Sequence, residues 1–245
     1  MIINSIISLP GDKSISHRSI MLASIASGVS RITNLNDGKD LQSTIRAMQS
    51  CGALIKQDKD LIVVTGSSLT NPKEPIDCGN SGTTSRLLTG LLSSQHLSFS
   101  LIGDESLSKR PMNRVIKPLK EMGCIIKSND GLLPLHIDAS NSFNGIDYKM
   151  PIASAQVKSA ILLAGLGAKN PSVVKELKHS RNHSEIMLES MGANIVVDDN
   201  NITVNPLFSK LKSFNMDIPA DPSSAAFFIA LAALLKGSDL TVKNI

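Results

Sequence analysis

The chain has 245 residues, of which 42% are hydrophobic and 19% charged, so it can bury a substantial core in one or two globular domains. Only 3% of the residues are aromatic, with no Trp and one Tyr, which argues against stacking platforms for single-stranded nucleic acid. The formal net charge is +4, but the cations occur singly at predicted loop-to-helix junctions, a pattern that suits a small anion better than a polymer.

Targeting and metal-binding signals are lacking in the sequence. The N-terminus has no basic start followed by an apolar core, and the longest apolar run, residues 225–235, is too short to span a bilayer. The three cysteines are widely spaced and odd in number, so we expect reduced thiols and a cytoplasmic protein with no membrane partner. His179 and His183 are four residues apart, but no third ligand is evident, and we expect no metal there.

Internal repetition organises the chain. First helices are predicted over residues 14–27, 82–95 and 154–168. A second helix follows each of them and ends at Gly52, Gly123 or Gly192, which lie 71 and 69 residues apart. Each glycine is predicted to end its helix in a left-handed conformation, and an apolar strand follows. The chain is therefore predicted to contain three βαβαββ units of an α/β fold.

A fourth unit begins near the end of the sequence. Residues 220–225 (ADPSSA) stand 209 positions after residues 11–16 (GDKSIS), and a helix is predicted over 223–235. A repeat cannot bury its apolar faces alone, so we expect a longer natural protein of which this chain is a truncated part. Coincidence among helix-capping glycines is the alternative. We expect one domain over residues 10–218, with 1–9 and 219–245 forming an incomplete portion of a second.

Anion-binding residue types recur where the first helices begin. Lys13 and Ser14 open the first helix, residues 79–84 (GNSGTT) open the second, and residues 153–156 (ASAQ) open the third. A helix N-terminus exposes unpaired N–H groups and a partial positive charge, so small residues there let an anion approach. Each site alone is also explained as an ordinary helix cap, and the charges alone as a solvated basic surface.

Single cations accompany these helix starts. They are Lys13, Arg18, Arg86, Arg110 and Arg181. Arg18 follows Ser14 by four residues and so shares its helix face. Arg110 precedes Pro111, which we predict to occupy the first position of another helix. The planar fork of an arginine can hold a carboxylate or phosphate with two parallel hydrogen bonds, so a small, phosphorylated or carboxylated ligand is predicted.

Five segments together resemble the 5-enolpyruvylshikimate-3-phosphate synthase family. They are residues 11–18 (GDKSISHR), 79–83 (GNSGT), 109–112 (KRPM), 154–160 (SAQVKSA) and 221–225 (DPSSA). The likeness runs the whole length of the chain and covers roughly the first half of the family's usual length. It implies an enolpyruvyl transferase-like inside-out α/β barrel, in which each of two domains contains three repeats and the substrates bind between the domains.

The activity implied by the resemblance is a transfer in the shikimate pathway of aromatic amino acid biosynthesis. The enolpyruvyl group of phosphoenolpyruvate moves to the 5-hydroxyl of shikimate 3-phosphate, phosphate is released, and no cofactor takes part. The partners implied are these two substrates and the missing C-terminal domain, and neither nucleic acid nor membrane is expected. The family is the target of glyphosate, and Gly82 resembles the form that is open to this herbicide.

The resemblance also assigns roles to individual residues. Lys13 would act catalytically between the two substrates, while Ser14 and Arg18 would bind shikimate 3-phosphate. Gly82 and Arg110 would line the phosphoenolpyruvate site. The remaining expected ligands of shikimate 3-phosphate are Ser154, Ala155, Gln156 and Arg181. Where part of the family has Ser-Ser-Gln this chain has Ser-Ala-Gln, so the hydroxyl contact is lost at Ala155 and the backbone contact remains.

The family's acidic proton-transfer residues belong to the half that would follow Ile245. We therefore expect this chain alone to bind shikimate 3-phosphate weakly and to be inactive.

A stand-alone anion-binding or structural domain is one alternative. Another is a relative that shares the repeat. A UDP-N-acetylglucosamine enolpyruvyl transferase would be expected to carry a reactive Cys near Arg110, and residues 107–110 have none. An RNA 3′-phosphate cyclase would be expected to have a glycine-rich N-terminal motif, which residues 11–18 do not provide.

Overall fold

A computed structural model describes residues 2–140 and 142–245. The helices in these ranges are α1 (Lys13–Ile25), α2 (Lys39–Ser50), α3 (Gly82–Ser94), α4 (Glu105–Ser108), α5 (Asn113–Glu121), α6 (Ala155–Gly165), α7 (His183–Ser190) and α8 (Pro222–Leu234). The strands are β1 (Asn4–Ile7), β2 (Val29–Thr33), β3 (Leu54–Asp58), β4 (Leu61–Thr65), β5 (Ile76–Asp77), β6 (Phe99–Ile102), β7 (Ile125–Asn129), β8 (Leu132–Asp138), β9 (Asp147–Lys149), β10 (Ser172–Lys175), β11 (Ile195–Asp198), β12 (Asn201–Val204), β13 (Asn215–Asp217) and β14 (Asp239–Val242).

Three four-stranded sheets share one topology, which confirms the predicted repeats. Their strand orders are β13-β2-β4-β3, β5-β6-β8-β7 and β9-β10-β12-β11. In each sheet the first two strands are parallel and the other pairings are antiparallel. A parallel pair needs a crossover connection. In the second and third sheets α3 and α6 provide that crossover.

The first sheet takes its parallel strand from the end of the chain. β13 pairs with β2, so that Asn215 lies opposite Arg31, whereas β1 pairs with β14 in a separate two-stranded sheet. The two segments that join this sheet and its helix α1 to the β1–β14 pair and α8, near residues 10–12 and 219–221, therefore lie side by side. The N–H of Asp12 donates to Pro219 O at 2.7 Å, and that of Asp221 donates to Pro10 O at 3.1 Å.

The first helices of the three units form the inner layer of the core. Their burial on all sides explains why α1 and α6 carry mostly apolar or small residues around their circumference, with His17, Arg18 and Lys158 as buried exceptions. Buried hydroxyls are satisfied within the helices, as where Ser24 and Thr89 donate to the carbonyl four residues earlier. α3 and α6 approach so closely that a Cβ at Gly90 would lie 2.1 Å from Ala160 O.

The second helices end as predicted. Gly52, Gly123 and Gly192 have φ values of 90°, 100° and 90°, in the left-handed region that glycine tolerates best. One helix start was predicted wrongly, because α5 begins at Asn113 and not at Pro111. Residues 104–112 instead form the short α4 and a turn, in which Met112 N–H donates to Gly131 O at 2.8 Å.

The last helix differs from the inner three. α8 exposes large apolar side chains, with Phe227 79% and Leu234 83% exposed. Ile2, which precedes β1, and Ile6, within it, are 66% and 65% exposed. Throughout the described residues, no helix combines the length and apolar character needed to cross a membrane.

Candidate functional site

The first turns of four helices meet at one cavity of about 250 Å³. Its lining consists of Asp12, Lys13, Ser14 and Arg18 of α1 and its cap, Thr83 of α3, Ala155 and Gln156 of α6, Arg181, and Asp221 and Ser223 at the start of α8. Each helix N-terminus carries a partial positive charge, so four of them directed at one space favour an anion.

Side-chain caps fix the geometry of these helix starts. Asp12 Oδ1 accepts the N–H of Ile15 at 2.8 Å, and Ser154 Oγ accepts that of Val157 at 3.4 Å. Asp221 Oδ1 accepts the N–H of Ser223 at 2.8 Å, and its Oδ2 accepts that of Lys13 at 3.4 Å. Asp221 therefore ties the start of α8 to the start of α1.

Arg18 is a buried cation at the floor of the cavity. It is only 4% exposed, and its guanidinium donates from Nε to Ser184 Oγ at 2.7 Å, from Nη2 to Ser159 Oγ at 2.6 Å and from Nη1 to Ser14 O at 3.0 Å. Burial lowers the pKa of Arg18 to about 10, so it stays charged at neutral pH. Each Nη keeps one N–H that these bonds do not use, as two-point binding of a carboxylate or phosphate requires.

Two further cations lie at the rim. Lys13 is half-exposed and its Nζ is paired with the carboxylate of Asp40. Arg181 lies in the loop between β10 and α7, and its Nη1 donates to Ser14 Oγ at 3.3 Å. Both side chains are exposed, in contrast to the buried Arg18.

A second positive region adjoins the cavity at the start of α3. A Cβ on Gly82 would lie 2.5 Å from Arg86 Nη1 and 3.6 Å from Arg110 Nη1, so this glycine leaves the space that the two arginines use. Arg86 is partly buried, and its burial together with the charges of Arg110 and Arg114 lowers its pKa. Two close guanidinium groups form a favourable environment for a small dianion.

Gln156 joins the two regions. Its Oε1 accepts from Arg86 Nη1 and its Nε2 donates to Thr83 Oγ1, both at 3.0 Å. These two bonds define which end of the amide faces which partner. On the outer side, Arg110 Nη2 donates to Asn80 Oδ1 at 2.6 Å, while Asn80 Nδ2 donates to Asp104 at 2.7 Å.

A chain of buried hydrogen bonds lies behind the helix starts. His17 Nδ1 bonds to Thr44 Oγ1, which bonds to Thr84 Oγ1, which in turn donates to Ser81 Oγ, each at 2.7 Å. Burial, and then the charge of Lys13, lower the pKa of His17 to about 3, so this imidazole is neutral. The chain fixes α1, α2 and the cap of α3 to one another without adding charge.

The structure brings six of the nine predicted site residues to the lining of one cavity. They are Lys13, Ser14, Arg18, Ala155, Gln156 and Arg181. Ser154 caps α6 just outside this lining, and Gly82 and Arg110 lie in the adjoining positive region. Thr83, Arg86 and Asp221 were given no site role from the sequence, although Arg86 was named among the cations at helix starts and the other two lie in the segments 79–84 and 221–225. Arg86 carried a usable signal, since it follows Gly82 by four residues on one helix face, whereas the contact of Asp221 with Lys13 joins residues 208 positions apart.

A larger cavity lies elsewhere and has the wrong charge for an anion. It measures about 520 Å³ and its lining includes the carboxylates of Asp37, Asp60 and Asp217 against the single cation Lys59. Among the residues that the structure describes, no group of three or more His, Cys, Asp or Glu side chains is arranged to hold a metal ion.

Comparisons with known proteins match the chain to one family over nearly its whole length. The family model "EPSP synthase (3-phosphoshikimate 1-carboxyvinyltransferase)" matches residues 2–245. The 3-phosphoshikimate 1-carboxyvinyltransferase of Ruthia magnifica subsp. Calyptogena magnifica is 47% identical over 97% of this chain and 55% of its own length. The same enzyme of Oceanobacillus iheyensis is 45% identical over 98% of this chain and 56% of its own length.

A solved structure gives the same result for the fold. EPSP synthase from Acinetobacter baumannii superposes with a TM-score of 0.92 at 40% identity, over 100% of this chain and 57% of that one. The inside-out α/β architecture predicted from the sequence is thereby confirmed. The chain spans about half the length of the curated relatives it matches. From its matched residues and its fold, the chain belongs to the EPSP synthase (3-phosphoshikimate 1-carboxyvinyltransferase) family.

Proposed function

We propose that this chain provides the shikimate 3-phosphate site, and part of the phosphoenolpyruvate site, of an enolpyruvyl transferase. The reaction joins the 5-hydroxyl of shikimate 3-phosphate to C2 of phosphoenolpyruvate, transfers a proton to the methylene carbon, and then expels phosphate. The observation that carries the proposal is the meeting of four helix N-termini and the cations Lys13, Arg18 and Arg181 at one cavity. Both substrates are anions, and such a site suits them.

Shikimate 3-phosphate would occupy the cavity of about 250 Å³. Arg18 would hold its carboxylate with the two N–H groups that remain free, with Ser14 beside it bonding a ring hydroxyl. Arg181 would face the same ligand from the loop. The start of α6 would bind the phosphate and the other hydroxyls through Ser154, Gln156 and the backbone of Ala155. Ser14, Ala155 and Gln156 lie in the first turn of a helix, where anions are stabilised.

Phosphoenolpyruvate would lie in the region between Lys13 and Arg110. Gly82 supports this assignment because the absence of a side chain there leaves room beside two guanidinium groups. Lys13 would lie between the substrates, where its ammonium would offset the charge of phosphoenolpyruvate and polarise the attacking hydroxyl; binding would then replace its present pairing with Asp40. The same space would admit glyphosate, as the glycine at position 82 implies.

The proton transfers are the part of the reaction for which we propose no residue here. Protonation of the methylene carbon and deprotonation of the hydroxyl each require a placed acid or base, worth about 10²–10⁴-fold in rate. Of the cavity's two carboxylates, Asp12 and Asp221, each accepts backbone N–H groups as a helix cap. We therefore expect the 245-residue chain to show little or no turnover when phosphate release is followed with both substrates. Turnover at rates usual for enzymes would contradict this expectation.

We propose that residues 10–218 form the N-terminal domain and that 1–9 and 219–245 belong to a second domain, completed in the relatives by their remaining length. The pairing of β1 with β14 supports this division, as do the exposed Phe227 and Leu234 of α8. A cytoplasmic location, expected from the sequence, is part of the same proposal.

Calorimetric titration of the chain with shikimate 3-phosphate tests the proposed site. Arg18→Lys keeps a charge but loses the two-point fork, and we expect it to weaken binding by about tenfold or more. Lys13→Ala is expected to weaken the binding of shikimate 3-phosphate, and to weaken it more when phosphoenolpyruvate is also present. Arg31→Ala and Lys73→Ala, which alter exposed cations outside the site, serve as matched controls and should bind like the parent chain. Equal binding by all five proteins, or none by the parent chain, would contradict the proposal.

A further inference from the structure

A buried cluster of charges lies one turn into α6, next to the cavity. The side chain of Lys158 is 1% exposed, and its Nζ lies 2.9 Å from Glu176 Oε2 and 2.6 Å from Glu185 Oε1. Both carboxylates are buried as well. Buried ion pairs are often no more stabilising than apolar side chains of the same size, because desolvation offsets their attraction. A role in placing other groups is therefore a better explanation of the cluster than stability alone.

One arm of the cluster holds the loop that carries Arg181. Glu176 directly follows β10, and its Oε1 accepts from Ser180 Oγ at 2.5 Å. Lys158 Nζ also donates to Ser180 O at 3.4 Å. Ser180 is the neighbour of Arg181 in the chain, so both its side chain and its carbonyl tie that arginine's backbone to α6.

The other arm holds the acceptors of Arg18. Glu185 lies in the first turn of α7, next to Ser184, whose Oγ accepts from Arg18 Nε at 2.7 Å. Ser184 also bonds at 2.7 Å to Ser159, the neighbour of Lys158 on α6. The pairs 158–185 and 159–184 thus link α6 to α7 side by side, one by charge and one by hydroxyls.

We propose that Lys158 is a positioning residue for the shikimate 3-phosphate site, acting through Glu176 and Ser180 on Arg181 and through Glu185 on the contacts of Arg18. The inference rests on the proposed function. The two buried carboxylates pair with Lys158, and the charge of Glu185 also offsets part of the desolvation of Arg18, which helps this buried arginine to stay charged beside the ligand. The ammonium group of Lys158 therefore fixes Arg18 of α1 and Arg181 of the loop before α7 relative to Gln156 on α6.

A double-mutant cycle with shikimate 3-phosphate tests the arm to Arg181. Arg181→Ala is expected to weaken binding by about tenfold, since it removes a charged hydrogen bond. Ser180→Ala removes the bond to Glu176 and leaves every charge in place, and should weaken binding roughly threefold. If Ser180 acts through Arg181, its substitution has less than about 1.5-fold effect when Arg181 is already Ala. Ser190→Ala, at the other end of α7, is the matched control and should change nothing in either background.

Charge removal at the centre of the cluster gives an independent measurement. Lys158→Met leaves two buried carboxylates unpaired and is expected to reduce folding as well as binding. The companion Lys158→Met/Glu176→Gln/Glu185→Gln variant keeps the size of all three side chains without charge. We expect it to fold, to bind about tenfold more weakly than the parent, and to lose amide-exchange protection in residues 177–182. A folded triple variant with parental affinity and protection would overturn the proposal.

The outcomes separate the two proposals. Absence of binding by the parent chain would overturn the proposed function and this inference with it. A different result would overturn the positioning role of the cluster alone. In it, the parent binds and Arg181→Ala weakens binding, but the effect of Ser180→Ala is either absent or fully additive to that of Arg181→Ala.

Discussion

The helices α1 and α8 begin alike and lie in different environments. Each has 13 residues and an aspartate at its N-cap, Asp12 or Asp221, whose carboxylate accepts backbone N–H groups of the first turn. Ten residues of α1 are buried, whereas in α8, all of which the structure describes, Ala225 is the one buried residue. The start of a helix is thus determined by local sequence, while its burial depends on the sheets around it.

The largest expected difference between these helices concerns their apolar side chains. Leu22 and Leu231 both lie ten residues after the N-cap, and they are 1% and 42% exposed. Leu22→Ala removes packing on all sides and is expected to lower the free energy of unfolding by about 3 kcal/mol. Leu231→Ala should cost less than about 1 kcal/mol. Urea denaturation of both variants measures the difference, and equal losses would show that α8 is packed like α1.

A second difference concerns pH. His17 lies five residues after the N-cap of α1, where α8 has the exposed Ala226. The pKa of His17 is about 3 in the folded chain against 6.5 when unfolded, so the unfolded state binds more protons between these values. Stability is therefore lost as pH falls below 6.5, by on the order of 2 kcal/mol between pH 6 and pH 4.5.

The measurement for this pH effect is denaturation as a function of pH. His17→Asn keeps a polar partner for Thr44 and removes the titration, so its stability should fall less over the same window. His179→Gln, at an exposed histidine, is the matched control for the replacement of an imidazole. An unchanged slope in His17→Asn would show that other groups cause the acid sensitivity.

The smallest expected difference concerns the caps. Asp12→Ala and Asp221→Ala each remove a side-chain acceptor of first-turn N–H groups, and each should destabilise its own helix by about 1 kcal/mol. Amide hydrogen exchange in the first turn of each helix measures this locally. Asp12→Asn and Asp221→Asn, which keep an acceptor, should recover most of the protection. A loss confined to α1 would mean that the start of α8 is not set by its cap.

The repeats were predictable because their signals are local. A glycine at the end of a helix, such as Gly52 or Gly192, favours the left-handed conformation independently of the surrounding structure. Both residues have a φ of 90°. The start of α5 was not predictable in this way. There the bond from Met112 N–H to Gly131 O, between residues far apart in the chain, delays the helix beyond Pro111.

The same distinction, between local signals and contacts that depend on packing, applies to the residues of the candidate site. Lys13, Ser14 and Gln156 occupy helix starts that any helix-capping pattern reveals, so the sequence predicted them. The buried Lys158 lay within a recognised segment, yet its partners Glu176 and Glu185 come from other elements. Nothing in the spacing of these three residues predicts their contact, since it depends on how α6, β10 and α7 pack.

Mapping the bound ligand by NMR tests the central claim most directly. Shikimate 3-phosphate is titrated into the 15N-labelled chain and backbone amide shifts are followed. We predict that the largest changes occur at Ser14, Ala155, Gln156 and Arg181, where the helix starts meet, and that amides around Asp60 of the larger acidic cavity stay unchanged. Changes centred on the acidic cavity, or scattered over the surface without saturation, would contradict the account.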